Sequence, residues 1–132
     1  MFLLLGAATP VGRLEVSVAG LRSGDGVIRI CLTANPHAFP ACHNDALAVR
    51  RNVPAGAALP AFEGLPPGDY AAAVMHDENG NKRLDTFAGI PREGFGFSRN
   101  PAVRFGPPKF SQVRFATTGA SMRLPIKMKY FL

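Results

Sequence analysis

Short stretches of alternating apolar and polar residues, separated by glycine and proline, are the feature that most restricts this chain. In residues 13–20, Leu14, Val16 and Val18 fall on one side, and Glu15 and Ser17 fall on the other. A period of two is typical of a half-buried strand, because successive side chains point to opposite faces of a sheet. The other predicted strands are 27–33, 46–51 (the weakest), 59–63, 70–76, 111–117 and 121–131. We therefore expect an all-β protein, a single β-sandwich of about seven strands.

The residues between and within these strands support the same architecture. Glycine (14 residues) and proline (12 residues) are frequent, which favours many turns and few long helices. The Asp25-Gly26 pair accepts the positive φ that a tight hairpin turn requires between the first two strands. Pro125 lies inside the last predicted strand, so we expect that strand at a sheet edge or at a bulge.

One long connection, residues 86–110, shows no clear strand pattern. It contains five of the ten phenylalanines in the chain, which argues against disorder because disordered segments are poor in aromatic residues. We expect one long ordered loop packed over an edge or end of the sandwich. Phe95 and Phe97 have the same strand parity, so both are expected to point towards the sheet.

Residues 1–9 differ from the rest of the chain. Phe2–Leu5 are apolar and a small-residue run follows at 6–8, which is typical of the end of a secretory signal peptide. The alternative is a short buried or disordered N-terminal segment. We expect residues 10–132 to form a single domain, exported to the periplasm or secreted. No 18-residue apolar run is present, so no transmembrane segment is expected.

The two cysteines, Cys31 and Cys42, have a loop-like sequence between them. In an exported protein this spacing predicts one disulfide. The alternative is a metal site that adds His37 and His43 to the two cysteines, but the spacing matches no common zinc pattern.

The net charge is +6, and the excess of basic over acidic residues lies in the last 34 residues of the chain. Seven basic residues and no acidic one lie between Arg99 and the C-terminus, spread rather than clustered. Nucleic-acid binding would require clustering with interleaved aromatic residues, so we expect no nucleic-acid partner. The charge supports a weak attraction to anionic surfaces, and we expect a monomer.

The segment HDENGNKRLD, residues 76–85, resembles a cation-binding loop. Oxygen-bearing side chains recur at every second position, which allows them to turn towards one centre. Calcium prefers six to eight oxygens from carboxylates, amides and carbonyls. The sequence therefore predicts weak calcium binding at this loop and establishes no cofactor. The predicted ligands are Asp77, Asn79, Asn81, the carbonyl of Arg83, Asp85 and, folded back, Glu93.

Two positions depart from the EF-hand pattern that this loop imitates. Lys82 occupies the sixth position, where an EF-hand has glycine, and Ala88 occupies the twelfth, where it has a bidentate glutamate. Glu93 could supply the missing carboxylate. The alternative is a polar turn whose Asp and Asn side chains bind nearby backbone N–H groups.

The stretch FEGLPPGDYAAAVMHDENGNKRLDTFAGIPREGFGFS, residues 62–98, resembles the central signature of the bacterial domain-of-unknown-function family DUF2141. The resemblance extends over most of the chain from Leu14 onwards. Its GLPPGDY element is also similar to the turn before a strand in transthyretin-like and carboxypeptidase-regulatory-like sandwiches. The resemblance implies an exported bacterial β-sandwich, of transthyretin-like or immunoglobulin-like type, with no assigned activity.

We expect a binding or structural module of the bacterial envelope and no enzyme. His76 and Asp77 are the one suggestive acid–base pair, but neighbours on a strand point to opposite faces. The alternative of a transthyretin-like hydrolase is weakened because the chain ends KMKYFL where that family ends Tyr-Arg-Gly-Ser. A second alternative is a carbohydrate- or peptide-binding accessory domain that takes a small molecule, a glycan or a protein. Its predicted ligand contacts are Arg92, Phe95, Phe97, Ser98 and Asn100.

Overall fold

A computed structural model describes residues 12–42, 44–82, 86–87, 90–102 and 106–131, with the backbone alone for 86–87 and 90–91. These residues form short strands and one helical turn. The elements are β1 (Gly12–Ala19), β2 (Val27–Thr33), β3 (Val49–Pro54), β4 (Phe62–Leu65), β5 (Gly68–Asp77), β6 (Thr86–Phe87), β7 (Ile90–Pro91), β8 (Gly94–Phe97), α1 (Phe110–Val113), β9 (Phe115–Thr117) and β10 (Ser121–Lys127).

Two sheets make up the fold. The smaller has the order β10-β1-β4, and β1 runs parallel to β10 and antiparallel to β4. The larger has the order β3-β2-β5-β8, with β9 pairing to the first residues of β5. The short strands β6 and β7 pair only with each other among the described residues. The prediction of an all-β sandwich is confirmed.

The main core lies between the two sheets. Leu14 and Val16 of β1 face Ile28 and Ile30 of β2, and all four are at most 6% exposed. Phe62 of β4, which is 1% exposed, closes one side, where the guanidinium carbon of Arg51 lies 4.7 Å from its ring centroid. The alternation in 13–20 therefore identifies the buried face of β1 correctly.

A second apolar cluster covers the outer face of the larger sheet. Ala71 and Ala73 of β5 contact Phe97 of β8 and Val113 of α1, and the half-buried Phe95 packs against them. Phe39 and Phe110 complete this cluster, which we call the outer cluster. It explains why β5 reads as continuously apolar, because both of its faces are covered.

The structure corrects the interpretation of residues 86–110 as a segment with no clear strand. Residues 94–97 form β8 and pair with residues 73–76 of β5, so part of the segment extends the sheet. The pattern is hidden in the sequence because Gly94 and Gly96 occupy the inward positions. Phe95 and Phe97 do share one face, and it is the outer face of the larger sheet.

Several other strand predictions require correction. The hairpin expected at Asp25-Gly26 is wrong, because β1 and β2 lie in different sheets and the segment between them crosses from one to the other. In 111–117 only Phe115–Thr117 is a strand, and the preceding residues form α1. Burial does alternate at Val113, Phe115 and Thr117, which made the whole stretch look extended. The placement of Pro125 in an edge strand is confirmed.

The predicted disulfide joins Cys31 and Cys42, whose Cα atoms are 6.0 Å apart. It links the outward face of β2 to the connection between β2 and β3. Cys42 is fully buried, and its carbonyl accepts a hydrogen bond of 3.0 Å from Arg50. The two thiols are therefore not available for the alternative metal site, and His43 lies outside the described residues. No helix in the described part of the chain is long and apolar enough to span a membrane.

The two sheets meet along a seam between β8 and the residues that follow β10. The backbone N–H groups of Phe95 and Lys129 donate to each other's carbonyl oxygens at 2.9 and 2.8 Å. A Cβ on Gly94 would lie 2.3 Å from the ring of Tyr130, and one on Gly96 would lie 2.5 Å from Cγ2 of Ile126. Glycine at these positions therefore permits the two sheets to approach at the seam.

We expect Gly96→Ala to lower the free energy of unfolding by about 1–3 kcal/mol, because the added methyl group overpacks the seam. The matched control is Gly24→Ala, since a Cβ there meets nothing within 4 Å. Chemical denaturation of both variants measures the effect. Equal stabilities for the two variants would contradict close packing at the seam.

Candidate metal centre

The last residue of β5, Asp77, is the centre of the candidate site. β5 is ten residues long, and its register with β2 pairs Asp77 with Val27. The strand therefore carries Asp77 to the end of the sheet, where β2 still pairs with it and the ladder with β8 has just ended. The side chain is fully buried, so its carboxylate must be satisfied within the protein.

One oxygen of this carboxylate is satisfied and the other is not. Oδ2 accepts a hydrogen bond of 3.0 Å from Nε of Arg29 and one of 2.8 Å from the backbone N–H of Lys82. Oδ1 has no hydrogen-bond partner among the described residues. A buried polar atom without a partner is destabilising by about 1–3 kcal/mol. The arrangement thus leaves one carboxylate oxygen able to accept an ion.

The backbone after Asp77 turns sharply around the carboxylate. Gly80 donates its N–H to the carbonyl of Asp77 at 3.2 Å, and Asn81 donates its N–H to Oδ1 of Asn79 at 3.2 Å. Lys82 has a φ of 65°, a conformation that favours glycine. The sharp turn that an EF-hand makes with glycine at its sixth position is therefore made here by lysine.

Glu93 comes to the same end of the sheet from β8. The last pair of the β5–β8 ladder is His76 with Gly94, so Asp77 and Glu93 are each the next residue beyond it. Glu93 is 5% exposed. The register thus brings two buried carboxyl-bearing residues to one end of a strand pair, as the folding back of Glu93 requires.

The remaining predicted calcium ligands are only partly described. Asn79 and Asn81 lie in the exposed turn, and Arg83 and Asp85 lie outside the described residues. Among the residues that the structure does describe, no group of three or more His, Cys, Asp or Glu side chains could hold a metal. A calcium ion here would therefore require amide and carbonyl oxygens beside the carboxylates, a mixture that calcium accepts.

A group of hydrogen-bonded residues, which we call the end cluster, lies beside this turn and consists of Arg22, His76, Glu78 and Tyr130. His76 is fully buried, and its Nε2 lies 2.7 Å from the carbonyl of Asp25. A carbonyl only accepts, so Nε2 carries the proton. In the neutral imidazole, Nδ1 then accepts from the hydroxyl of Tyr130 at 2.7 Å. His76 and Asp77 accordingly bind different partners.

Within the end cluster, Arg22 contacts three other segments of the chain. Its guanidinium donates to Glu78 at 2.6 and 2.9 Å and to the carbonyl of Arg92 at 2.9 Å. Its central carbon lies 4.5 Å from the ring centroid of Tyr130. The hydrogen bonds from Arg22 and Ser23 lower the pKa of Glu78, and burial raises the pKa of Tyr130. The end cluster therefore fixes the first residue of the turn after Asp77.

The five residues predicted to contact an organic ligand are not gathered into one surface. Phe97 is 5% exposed, and Ser98 is fully buried with its hydroxyl hydrogen-bonded to Val113 and to Ala72. Arg92 is exposed and precedes β8, at the opposite end of the strand from Ser98. Phe95, Phe97 and Asn100 line a shallow depression at the seam. Three of the five predicted contacts therefore border a common surface.

Arg29 is the residue of this site that the sequence argument missed. It alternates with Ile28 and Ile30, which places it on the outer face of β2. The only signal in the sequence is that a buried carboxylate at Asp77 requires a basic partner. Since 48 positions separate the two residues, the strand pairing had to be known first.

Comparison with known proteins identifies one family. The family described as "Uncharacterized protein conserved in bacteria (DUF2141)" matches residues 16–124. The match covers β8, Asp77, Glu93 and most of the core, and it ends within β10, before the residues that pair with β8 at the seam. No curated protein and no solved structure matches the chain.

Proposed function

The chain belongs to the bacterial family DUF2141, and from this premise we propose that it is an exported, non-enzymatic β-sandwich module of the cell envelope that binds calcium weakly. The calcium site is the turn after β5. The ion contacts Oδ1 of Asp77, and the turn and Glu93 supply further oxygens. Binding stabilises this end of the sandwich, where the ends of three strands meet.

The proposal of export rests on the disulfide and on the signal-like start of the sequence. A disulfide between Cys31 and Cys42 persists in an oxidising compartment such as the periplasm or the cell exterior. The absence of a catalytic role is proposed because His76 and Asp77 bind structural partners. His76 binds Tyr130 and a backbone carbonyl, and Asp77 binds Arg29.

The single observation that supports the calcium site most strongly is the buried Oδ1 of Asp77, which has no partner among the described residues. The alternative polar turn accounts for Oδ2 of Asp77 and for the side chain of Asn79, because both accept backbone N–H groups. It leaves Oδ1 without a partner. A cation would remove that cost, and calcium suits a flexible turn that supplies mixed oxygen ligands.

Two nearby cations oppose the ion and make weak affinity the expectation. Arg29 already neutralises the carboxylate at 3.0 Å, and Lys82 lies in the turn itself. Extracellular calcium modules have dissociation constants of about 10⁻⁴–10⁻³ M. A site of this strength would be occupied at the millimolar calcium found outside the cytoplasm.

We expect millimolar calcium to raise the free energy of unfolding by about 1–3 kcal/mol, for a dissociation constant of about 10⁻⁴ M. Magnesium should raise it less, because magnesium demands octahedral geometry and gives up its water reluctantly. The melting temperature of chelator-treated protein, measured with each ion in turn, checks this.

Lys82→Gly supplies a second arm of the same test. It keeps the N–H that binds Asp77, removes a positive charge and relieves the left-handed backbone, which costs about 1–2 kcal/mol for a residue with a side chain. We expect higher stability without calcium and a larger calcium response than in wild type. Lys82→Met is the matched control, because it removes the charge and keeps the backbone cost. A melting temperature that calcium leaves unchanged in all three proteins would refute the site.

A further inference from the structure

A shallow depression at the seam, which we call the seam depression, combines aromatic rings with basic side chains. Phe95, Phe131, Lys127 and Lys129 line it, and Asn100 and Pro101 form one wall. Phe131 is 42% exposed, which makes it one of two large apolar residues that the described part of the chain exposes. The other is Leu47, which does not line the depression.

The wall of the seam depression is held in a fixed position. Asn100 donates from Nδ2 to the carbonyl of Pro125 at 3.1 Å, and its Oδ1 accepts from the backbone N–H of Lys127 at 2.8 Å. Arg99 and Asn100, with φ of 65° and 48°, form a turn after β8. The depression is therefore built by hydrogen bonds and does not depend on the side chain of a flexible loop.

The charge of the seam depression has no acidic counterpart in the described part of the chain. No acidic residue lines it, and neither Lys127 nor Lys129 forms an ion pair with a described carboxylate. Nζ of Lys129 donates to the carbonyl of Pro101 at 3.3 Å, which is an uncharged acceptor. The surface therefore complements a negative ligand that also has an apolar face.

The backbone at the seam excludes one mode of binding. Phe95 and Lys129 already exchange both of their backbone hydrogen bonds. A peptide cannot add to β8 as a further strand at this point, because the strand edge is occupied. A ligand must bind through side chains alone, by contact with ring faces and with ammonium groups. This favours a sugar ring that carries a carboxylate over an extended peptide.

We propose that the seam depression binds an acidic glycan, with the carboxylates of uronic-acid units on Lys127 and Lys129 and a sugar face on Phe131. The inference goes beyond the calcium module proposed above and does not require calcium. It also gives a use to the basic C-terminal third of the chain, which contains no acidic residue from position 99 onwards.

The test is a calorimetric titration of the full chain with an oligomannuronate in the presence of a chelator, since uronates themselves bind calcium. A neutral mannan oligosaccharide of equal length and an acidic peptide are titrated in parallel. We expect only the oligomannuronate to bind measurably, and its affinity to fall as salt screens the lysines.

Three variants localise the binding. Lys127→Gln and Lys129→Gln should each weaken binding by about two- to fivefold, as expected for exposed charge pairs, and Phe131→Ala should weaken it as well. Arg123→Gln is the matched control, because it removes a positive charge from the same strand at a side chain that is 90% exposed. It should leave the affinity unchanged.

Several results would overturn the proposal. They are no oligomannuronate binding, equal binding of the neutral sugar, tighter binding of the acidic peptide, or an equal loss of affinity in Arg123→Gln. Each is distinguishable from failure of the calcium site, because the titration contains no free calcium.

Discussion

Asp77→Ala should lower the free energy of unfolding by about 3–5 kcal/mol in chelator-containing buffer. The substitution removes the partner of Arg29, whose side chain is only 19% exposed, and the acceptor of the Lys82 N–H. A buried charge without a counter-ion is costly, because the interior solvates it poorly. The loss should therefore exceed that of the carboxylate's hydrogen bonds alone.

A double-mutant cycle isolates the pair. Arg29→Ala and Asp77→Ala together should cost less than the sum of the single substitutions, with a coupling of about 1–3 kcal/mol. The control is Asp69→Ala, which breaks an exposed pair with Arg114 at 4.0 Å and should cost less than about 1 kcal/mol. Urea denaturation of the variants measures the cycle. Additive effects at Arg29 and Asp77 would show that the buried pair does not exist in solution.

Phe97→Ala should lower the free energy of unfolding by about 3–5 kcal/mol, the usual effect of removing a buried ring. Phe97 is 5% exposed, and its ring centroid lies 5.9 Å from that of Phe39. Phe95→Ala should cost less, because Phe95 is only half-buried on the same face. The difference in unfolding free energy between the two variants tests whether the outer cluster holds β8 to the sheet.

Phe131→Ala is the matched control for this series, because Phe131 is 42% exposed. It should change stability by little. If Phe97→Ala and Phe131→Ala melt at the same denaturant concentration, the outer cluster does not contribute to the core. If Phe95→Ala costs more than Phe97→Ala, the two rings are buried in the opposite order.

The sequence predicted the strands whose inward residues are large. Leu14 and Val16 on β1 mark a buried face through alternation with polar residues. β8 lacks that signal, since glycine has no side chain to bury and its inward positions are Gly94 and Gly96. The period of two identifies a strand only where both faces carry side chains that differ in polarity.

Turn chemistry proved informative about conformation but not about topology. Gly26 does adopt a positive φ, of 73°, as the Asp-Gly pair predicts. The segment nevertheless crosses between sheets, because β1 pairs with β10 and β4 instead of with β2. A local sequence sets the backbone angles of a turn, while partners far along the chain decide which strands pair.

The candidate site was predictable as a loop and not as a charge arrangement. The recurring Asp and Asn residues in 77–81 indicated a turn with oxygens directed inwards. The burial of Asp77, its bond to Arg29 and the position of Glu93 all depend on the β2–β5–β8 register. The departure at Lys82 proved compatible with the sharp turn, since Lys82 adopts the left-handed conformation without glycine.

Calorimetric titration of calcium into chelator-stripped protein tests the proposed function most directly. The predicted result is one site per chain with a dissociation constant of about 10⁻⁴–10⁻³ M, lost in Asp77→Asn, which keeps the shape of the side chain and removes its charge. The contradicting result is the absence of a binding heat up to about 10 mM calcium, ten times the weakest affinity expected, or the same binding in Asp77→Asn as in wild type.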